Sequence, residues 1–291
     1  MTWALDKMTK YTVNLIGTGR LGTTLAYLLA NKPTTQLLGL YNLNPTKAEH
    51  IVHHLGEGRV YSSLGDLPRA DLTFITTPDD CIQKTSRLLS THQTFTHQVI
   101  AHCSGIHASS ILSDCQDQGA HIASIHPMLS VSCPQLARQH FPGTYCAIEG
   151  DATACQMLEP LFHALGAILY PIRADKKAMY HAAGVFATNY VTTLAHTSRL
   201  CLVEAGVEGA LAQKIVHHMM KQNINQLEHT VELNTALTGP LQRGDYHTIT
   251  QHLQALTTPA HALLYKTLGR STLALTGLNE CLKKKMLALF D

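Results

Sequence analysis

The chain has 291 residues, enough for about two domains, and 45% of them are apolar, so most of its length is expected to fold around a core. Lysine and arginine number 22 against 20 for aspartate and glutamate, and this net charge of +2 gives no electrostatic support for binding nucleic acid or an anionic membrane. Only 14% of the residues are charged, against about 25% in typical soluble proteins. The low charge predicts that a partner, most simply a second copy of the chain, covers part of the surface.

Strands and helices alternate in the first half of the chain. A helical pattern at 21–29 follows the first apolar run, and a second helix is predicted at 152–165. The predicted strands are 11–16, 37–41, 72–76, 99–102, 122–125, 145–148 and 167–171. Strands separated by helices imply βαβ units. The sequence therefore predicts an α/β fold with a Rossmann-like, mostly parallel sheet over 9–171.

The second half of the chain is predicted to be helical throughout. The pattern predicts helices at 176–204, 208–228, 246–255, 259–268 and 278–289. The first of these is apolar around most of its circumference, which predicts a buried helix. We expect a domain boundary near residue 171 and an all-helical domain over 172–291, whose cleft with the sheet domain would hold the active site.

A G-x-G-x-x-G pattern opens the first predicted helix. In this context Gly17 allows a tight turn, Gly19 lets a phosphate approach the backbone, and Gly22 lets helix and strand pack closely. The free N–H groups of the helix would face a pyrophosphate. The pattern predicts a dinucleotide site at Gly17, Thr18, Gly19, Arg20, Leu21 and Gly22; the alternative is a structural turn that has lost its ligand.

The end of the second predicted strand carries no Asp or Glu that would bind the ribose hydroxyls of NAD. Asn42, Asn44 and Lys47 stand there instead and would tolerate or bind a 2′-phosphate, so the sequence favours NADP, with NAD possible. The missing acid also disfavours an S-adenosylmethionine methyltransferase. Thr77 and Pro78 end a neighbouring strand and are expected near the nicotinamide half of the cofactor.

The residues expected to contact the substrate are polar residues at later strand ends and on the first helix of the second half. Ser104 and His126 either line a substrate pocket or serve turn chemistry. Lys177 and His181 are four residues apart on one predicted helix face, and Asn189 lies two turns further along. Such a pair can give a proton to, or take one from, a carbonyl or imine substrate during hydride transfer. The alternative is a lysine at the helix start and a hydrogen-bonded core histidine. No metal site is predicted.

The sequence resembles a family of bacterial Rossmann-like oxidoreductases with a C-terminal all-helical domain of unknown function. They are relatives of pyrroline-5-carboxylate, ketopantoate and 3-hydroxyacid dehydrogenases within the 6-phosphogluconate dehydrogenase-like superfamily. The resemblance extends from about residue 11 to about residue 268. Besides the glycine pattern, it rests on His102-Cys103-Ser104-Gly105, His126-Pro127, Lys177-Ala178-Met179-Tyr180-His181, Asn189 and Thr238-Gly239-Pro240-Leu241-Gln242-Arg243-Gly244-Asp245.

The resemblance implies a nicotinamide cofactor, usually NADP, and a homodimer whose helical domains pack together. In the related 3-hydroxyacid dehydrogenases, a catalytic lysine is followed four residues later by Asn; here Lys177 matches the lysine but His181 holds the later position. The family pattern often has an Arg near the end of the second strand, where this chain has Leu43. These departures leave the substrate class open.

The leading hypothesis is therefore an NADP-dependent oxidoreductase acting on a small carbonyl, imine or hydroxy substrate. One alternative is a dinucleotide-binding sensor or scaffold without turnover. Another is a reductase of the pyrroline-5-carboxylate or ketopantoate type. Residues 1–10 lack the apolar segment of a signal peptide and are expected to form a short arm. With no membrane-spanning stretch and no C-x-x-C pair among eight cysteines, we expect a cytoplasmic protein with reduced thiols.

Overall fold

The computed structural model describes residues 10–129 and 133–291; the predicted N-terminal arm lies almost wholly outside them. The chain forms two compact units, the first ending at Thr188 and the second comprising Asn189–Asp291. Within the described ranges, no helix combines the length and apolarity that crossing a bilayer requires.

An eight-stranded sheet organises the first unit. Its strands are β1 Tyr11–Ile16, β2 Thr35–Tyr41, β3 Arg59–Tyr61, β4 Leu72–Ile75, β5 Val99–His102, β6 His121–Pro127, β7 Tyr145–Gly150 and β8 Ile168–Pro171. They lie in the order β3-β2-β1-β4-β5-β6-β7-β8. All neighbours pair in parallel except β6 and β7, which are antiparallel. The predicted α/β class with a mostly parallel sheet is confirmed. β3 was not predicted, because three residues are too short to show a periodic pattern.

Helices cover both faces of this sheet. Those of the first unit are α1 Arg20–Leu29, α2 Pro45–Leu55, α3 Ile82–His92, α4 Ser113–Gln116, α5 Pro134–His140, α6 Ala152–Ala164 and α7 Lys177–Ala187. Successive strand residues enter different apolar clusters: Leu15 and Phe74 pack in one, Ile16 and Ile75 in the other, and all four are fully buried. Burying one such side chain contributes about 1.5–3 kcal/mol. This two-sided burial explains the continuous apolar runs of the strands.

The strand order places the predicted binding residues at one edge of the sheet. From β1 the chain first adds β2 and β3 on one side of the sheet, and it then returns to add β4 on the other side of β1. Because β1, β2, β4, β5 and β6 are parallel, their carboxyl ends share an edge, and ligands of such sheets bind at the reversal. Residues 17–22, 42–44, 76–78, 102–105 and 126 all follow or end these strands.

The described part of the second unit contains helices and no strand, as predicted. Its helices are α8 Asn189–Glu204, α9 Gly209–Glu228, α10 Pro240–Arg243, α11 Tyr246–Ala255, α12 Pro259–Leu273 and α13 Glu280–Leu287. The single helix predicted over 176–204 is wrong: it is two helices, α7 and α8. Thr188, at φ −127° and ψ −67°, lies outside helical geometry between them. Because α7 belongs to the first unit, the unit boundary falls after α7 and not near residue 171.

The predicted burial of this segment is also wrong for the single chain. Lys177 is the one buried residue in the described part of α7, and no residue of α8 is buried. Met179 and Phe186 are 74% and 68% exposed. A helix that is apolar on all sides needs other surfaces packed against it, but the pattern does not show that those surfaces belong to the same chain.

Candidate functional site

The turn between β1 and α1 has the geometry that the glycine spacing predicts. Gly17 has φ +100°, and a Cβ there would lie 2.8 Å from the backbone of Thr76 and Thr77. A Cβ on Gly22 would lie 2.1 Å from the carbonyl oxygen of Gly17. A Cβ on Gly19 would meet nothing within 4 Å. Gly17 and Gly22 are therefore required by backbone packing, whereas Gly19 leaves open space beside the helix start.

A pocket of about 340 Å³ adjoins this turn at the carboxyl ends of β1, β2 and β4. Six of the ten predicted cofactor residues line it: Gly17, Thr18, Gly19, Asn42, Thr77 and Pro78. The other four, Arg20, Leu21, Gly22 and Asn44, do not. Asn42 braces the turn, because its Oδ1 accepts a hydrogen bond from the Thr18 N–H at 3.1 Å and its Nδ2 donates to the Asn44 carbonyl at 2.9 Å.

Two buried hydroxyls in this pocket make no hydrogen bond to any residue that the structure describes. They are Oγ1 of Thr18 and Oγ1 of Thr77. A buried polar group left unpaired costs about 1–3 kcal/mol. The start of α1, whose N-cap residue Gly19 lines the pocket, has no side-chain cap and no acidic residue in its first turn, so the positive end of the helix dipole is not offset there. The two hydroxyls and this helix end fit the pyrophosphate of a dinucleotide.

A buried lysine contacts the turn that follows β5 and residues of β6 and β7. Lys177 is 2% exposed. Its Nζ donates a hydrogen bond to the Ser104 carbonyl at 2.8 Å and another to the Ser124 hydroxyl, and lies 3.8 Å from the Glu149 carboxylate. Glu149 also accepts from the backbone N–H and hydroxyl of Ser109, at 2.7 and 2.8 Å. Burial lowers the pKa of Lys177 to about 8, while Glu149 opposes the shift.

Two histidines pack over Gly105, the residue after Ser104. A Cβ on Gly105 would lie 2.9 Å from Nε2 of His126 and 2.6 Å from Cδ2 of His181. Nδ1 of His126 lies 2.7 Å from the Tyr180 hydroxyl. Burial, together with the charge of Lys177, lowers the pKa of His126 to about 4, so its ring is neutral at pH 7. Burial raises the pKa of Tyr180, which keeps its phenol protonated.

The structure distinguishes among the predicted substrate-side residues. Lys177 and His181 share α7 and both contact the Ser104–Gly105 turn, but only His181 is partly exposed. The Ser104 hydroxyl accepts hydrogen bonds from the N–H groups of Ile106 and His107, so it serves the turn. Asn189 is not on the same helix: it begins α8, in the second unit.

Three residues of this region were not predicted: Ser124, Glu149 and Tyr180. His102 is a structural group of the turn. Nδ1 of His102 accepts the Ser104 N–H at 3.1 Å, and its Nε2 lies 3.1 Å from the Ala108 carbonyl. A usable signal existed for Glu149, a single carboxylate in an apolar strand, because a charge there needs a buried partner.

The comparisons with known proteins agree with this architecture. Residues 5–127 match the Rossmann-like domain, and residues 144–272 match a domain of unknown function, DUF2520. A comparison with curated proteins finds no match.

Several solved structures share the fold. A Thermotoga maritima protein is 21% identical with a TM-score of 0.70, over 90% of this chain and 97% of that one. A Bacteroides fragilis protein proposed to be an NADP oxidoreductase is 19% identical with a TM-score of 0.72, over 91% and 98%. Pyrroline carboxylate reductase of Plasmodium falciparum, solved with NADP bound, is 15% identical with a TM-score of 0.59, over 97% and 98%. The chain therefore combines a region that matches the Rossmann-like domain with a later region that matches the DUF2520 domain.

Proposed function

We propose that this protein is an NADP-dependent oxidoreductase that transfers a hydride between the nicotinamide and a small carbonyl, imine or hydroxy substrate. The observation that carries the proposal is the pocket at the start of α1, where Gly19 leaves open space and the hydroxyls of Thr18 and Thr77 lack partners. Structural relatives described as NADP oxidoreductases or as NADP-bound reductases support the same class.

Different residues of the chain would bind different parts of the dinucleotide. The Gly19 N–H would hold the pyrophosphate, because the N–H groups of Gly17 and Thr18 already donate to the Tyr41 carbonyl and to Asn42, and Thr77 would face the same ligand from the end of β4. The bound cofactor would supply the hydride. The absence of a carboxylate among the residues lining this pocket favours the 2′-phosphorylated form.

A proton donor is needed because hydride addition to a C=O carbon leaves negative charge on oxygen. We propose that the neutral ring of His126 stabilises this charge by donating a hydrogen bond from Nε2, and that His181, which is partly exposed beside it over Gly105, delivers the proton. If Tyr180 donates to Nδ1 of His126, Nε2 carries the ring proton on the Gly105 side. Lys177 is too buried to reach a substrate, so we propose it as a positioning residue acting through the Ser104 carbonyl. Substrate roles for Ser104 and Asn189 stay predictions.

Direct binding of NADPH tests the proposal without knowledge of the substrate. The Gly19→Ala variant should fold normally, because its Cβ enters open space, but it should bind NADPH at least about tenfold more weakly, because that space is the phosphate site. The matched control is Gly277→Ala, whose Cβ also meets nothing within 4 Å, away from the pocket. Isothermal titration calorimetry measures the affinities.

The proposal is wrong if the wild-type protein binds neither NADPH nor NADH, or if Gly19→Ala binds as well as wild type. If NADPH binds, turnover is measured with small carbonyl compounds and cyclic imines by the loss of NADPH absorbance. His126→Asn should reduce turnover of a carbonyl substrate while leaving NADPH affinity unchanged, because this residue acts on the substrate and not on the nucleotide.

A further inference from the structure

Two lysines line the nucleotide pocket from different elements. Lys47 lies on α2, which follows β2, and Lys84 lies on α3, which follows β4. Since β2 and β4 flank β1 on opposite sides, the two lysines come to the pocket from elements on either side of β1. Neither lysine forms a salt bridge within the described residues, and none of the residues that line the pocket is Asp or Glu. The pocket therefore has two positive charges without a counter-ion from its own lining.

Lys47 occupies a position where helices disfavour a cation. It is the third residue of α2, inside the positive end of the helix dipole, and the first turn contains no acidic residue to offset it. Asn44 caps the helix through Thr46, which satisfies one N–H without adding negative charge. A residue that opposes the local preference without compensation is expected to serve a ligand, here an anion.

Lys84 belongs to a helix face turned toward the same pocket. Cys81, Lys84, Thr85 and Leu88 follow the i, i+3, i+4, i+7 spacing and all line it. Leu88 is exposed although apolar, and so is Leu43 at the end of β2, at 89%. These two leucines give the pocket apolar surface suited to an adenine ring, and Lys84 places a cation on the same face of α3.

An independent observation indicates that this pocket takes a polar ligand. Thr18 is 5% exposed, lines the pocket, and its hydroxyl has no hydrogen-bond partner. The end of β2 itself supplies no cation, because Leu43 stands there. We propose that Lys84, with Lys47 opposite, binds the 2′-phosphate of NADPH and sets the preference of this protein for NADPH over NADH. The inference rests on the proposed function and identifies which residues select the cofactor.

The test compares ligands that differ only in the 2′-phosphate. Dissociation constants for NADPH, NADH, 2′,5′-ADP and 5′-AMP are measured by calorimetry on the full chain. Lys84→Met should weaken NADPH and 2′,5′-ADP about ten- to hundredfold, as expected for a charge-assisted hydrogen bond, and leave NADH and 5′-AMP unchanged. Lys47→Met should act in the same direction. The control is Arg87→Met, which removes an exposed cation from the same helix outside the pocket and should change nothing.

Raising the salt concentration should narrow the gap between NADPH and NADH in the wild type and not in Lys84→Met, since screening acts on the phosphate–lysine attraction. The inference is overturned if Lys84→Met weakens NADPH and NADH equally, if it weakens neither, or if the wild type binds the two alike. None of these three results contradicts the proposed dinucleotide site. If no nucleotide binds, the proposed function fails together with the inference.

Discussion

The Lys177 ammonium is held away from water by partners that come from distant parts of the chain. Its partners are the Ser104 carbonyl, the Ser124 hydroxyl and the Glu149 carboxylate. Removing one member of a buried ion pair leaves the other charge uncompensated, which costs about 3–5 kcal/mol. We therefore expect Lys177→Met to lower the free energy of unfolding by about that amount, as measured by urea denaturation.

The neighbouring Lys176 provides the control for this prediction. It is exposed, so Lys176→Met should change the free energy of unfolding by less than about 1 kcal/mol. Adding Glu149→Gln to Lys177→Met should restore part of the lost stability, because it removes the unpaired carboxylate. Equal effects of Lys176→Met and Lys177→Met would contradict the role assigned to the buried ammonium.

His102 links stability to pH. Burial, and secondarily the charge of Lys177, lowers its pKa from 6.5 to about 3. Between these values the unfolded chain binds a proton that the folded chain does not, so stability is complete above pH 6.5 and is lost as the pH falls toward 3. For this one group the loss is about 2–3 kcal/mol at pH 4.5.

His102→Gln should therefore flatten the pH dependence of the unfolding free energy between pH 6.5 and 4.5, whatever its effect at neutral pH. Urea denaturation at several pH values measures this slope. His50→Gln, an exposed histidine on α2, is the control and should leave the slope unchanged. The assignment is refuted if the His102 and His50 variants keep the same slope.

At the scale of elements, local patterns predicted nearly every strand of the sheet. β1, β4 and β5 carry continuous apolar runs because both faces of the sheet are covered, and such runs are visible in a short window. The break between α7 and α8 was missed because Thr188 is neither Gly nor Pro and carries no strong stop signal. A single non-helical residue does not disturb an apolar pattern that continues on both sides.

The packing of α1 on the sheet gives a prediction at this scale. A Cβ on Gly22 would lie 2.1 Å from the Gly17 carbonyl and 2.5 Å from the Thr76 hydroxyl, so Gly22→Ala must push α1 away from β1. We expect a loss of about 1–3 kcal/mol or more in unfolding free energy, by chemical denaturation. Gly19→Ala, three residues earlier in the same turn, should keep full stability, and an unchanged Gly22→Ala protein would contradict the close packing.

For the whole molecule, the predictability of the site depended on the distance between its parts in sequence. The nucleotide turn was predicted because its glycines lie within six residues and have a known spacing. The Lys177 network joins Ser104, which follows β5, to Ser124 on β6 and Glu149 on β7, and only the strand order brings them together. His126 and Tyr180 are likewise 54 residues apart, so their hydrogen bond follows from the fold and not from a motif.

The second unit has an apolar groove that a single chain leaves open. It measures about 740 Å³ and is lined by α8, α9 and α12. On its wall, Met219 and Ile224 are 61% and 57% exposed. Exposed apolar surface of this kind marks interaction sites. Together with the low charge of the chain, it supports the expected homodimer through the helical domain.

We expect wild-type protein to sediment as a dimer and Met219→Glu to sediment as a monomer, because dimerisation would bury the new carboxylate in an apolar surface without a partner. Leu211→Glu is the matched control: it lies on α9 and is half exposed, but outside the groove, so the dimer should persist. Far-ultraviolet circular dichroism checks that both variants keep their helices. A monomeric wild type, or a Met219→Glu protein that remains dimeric, would show that this groove is not the dimer contact.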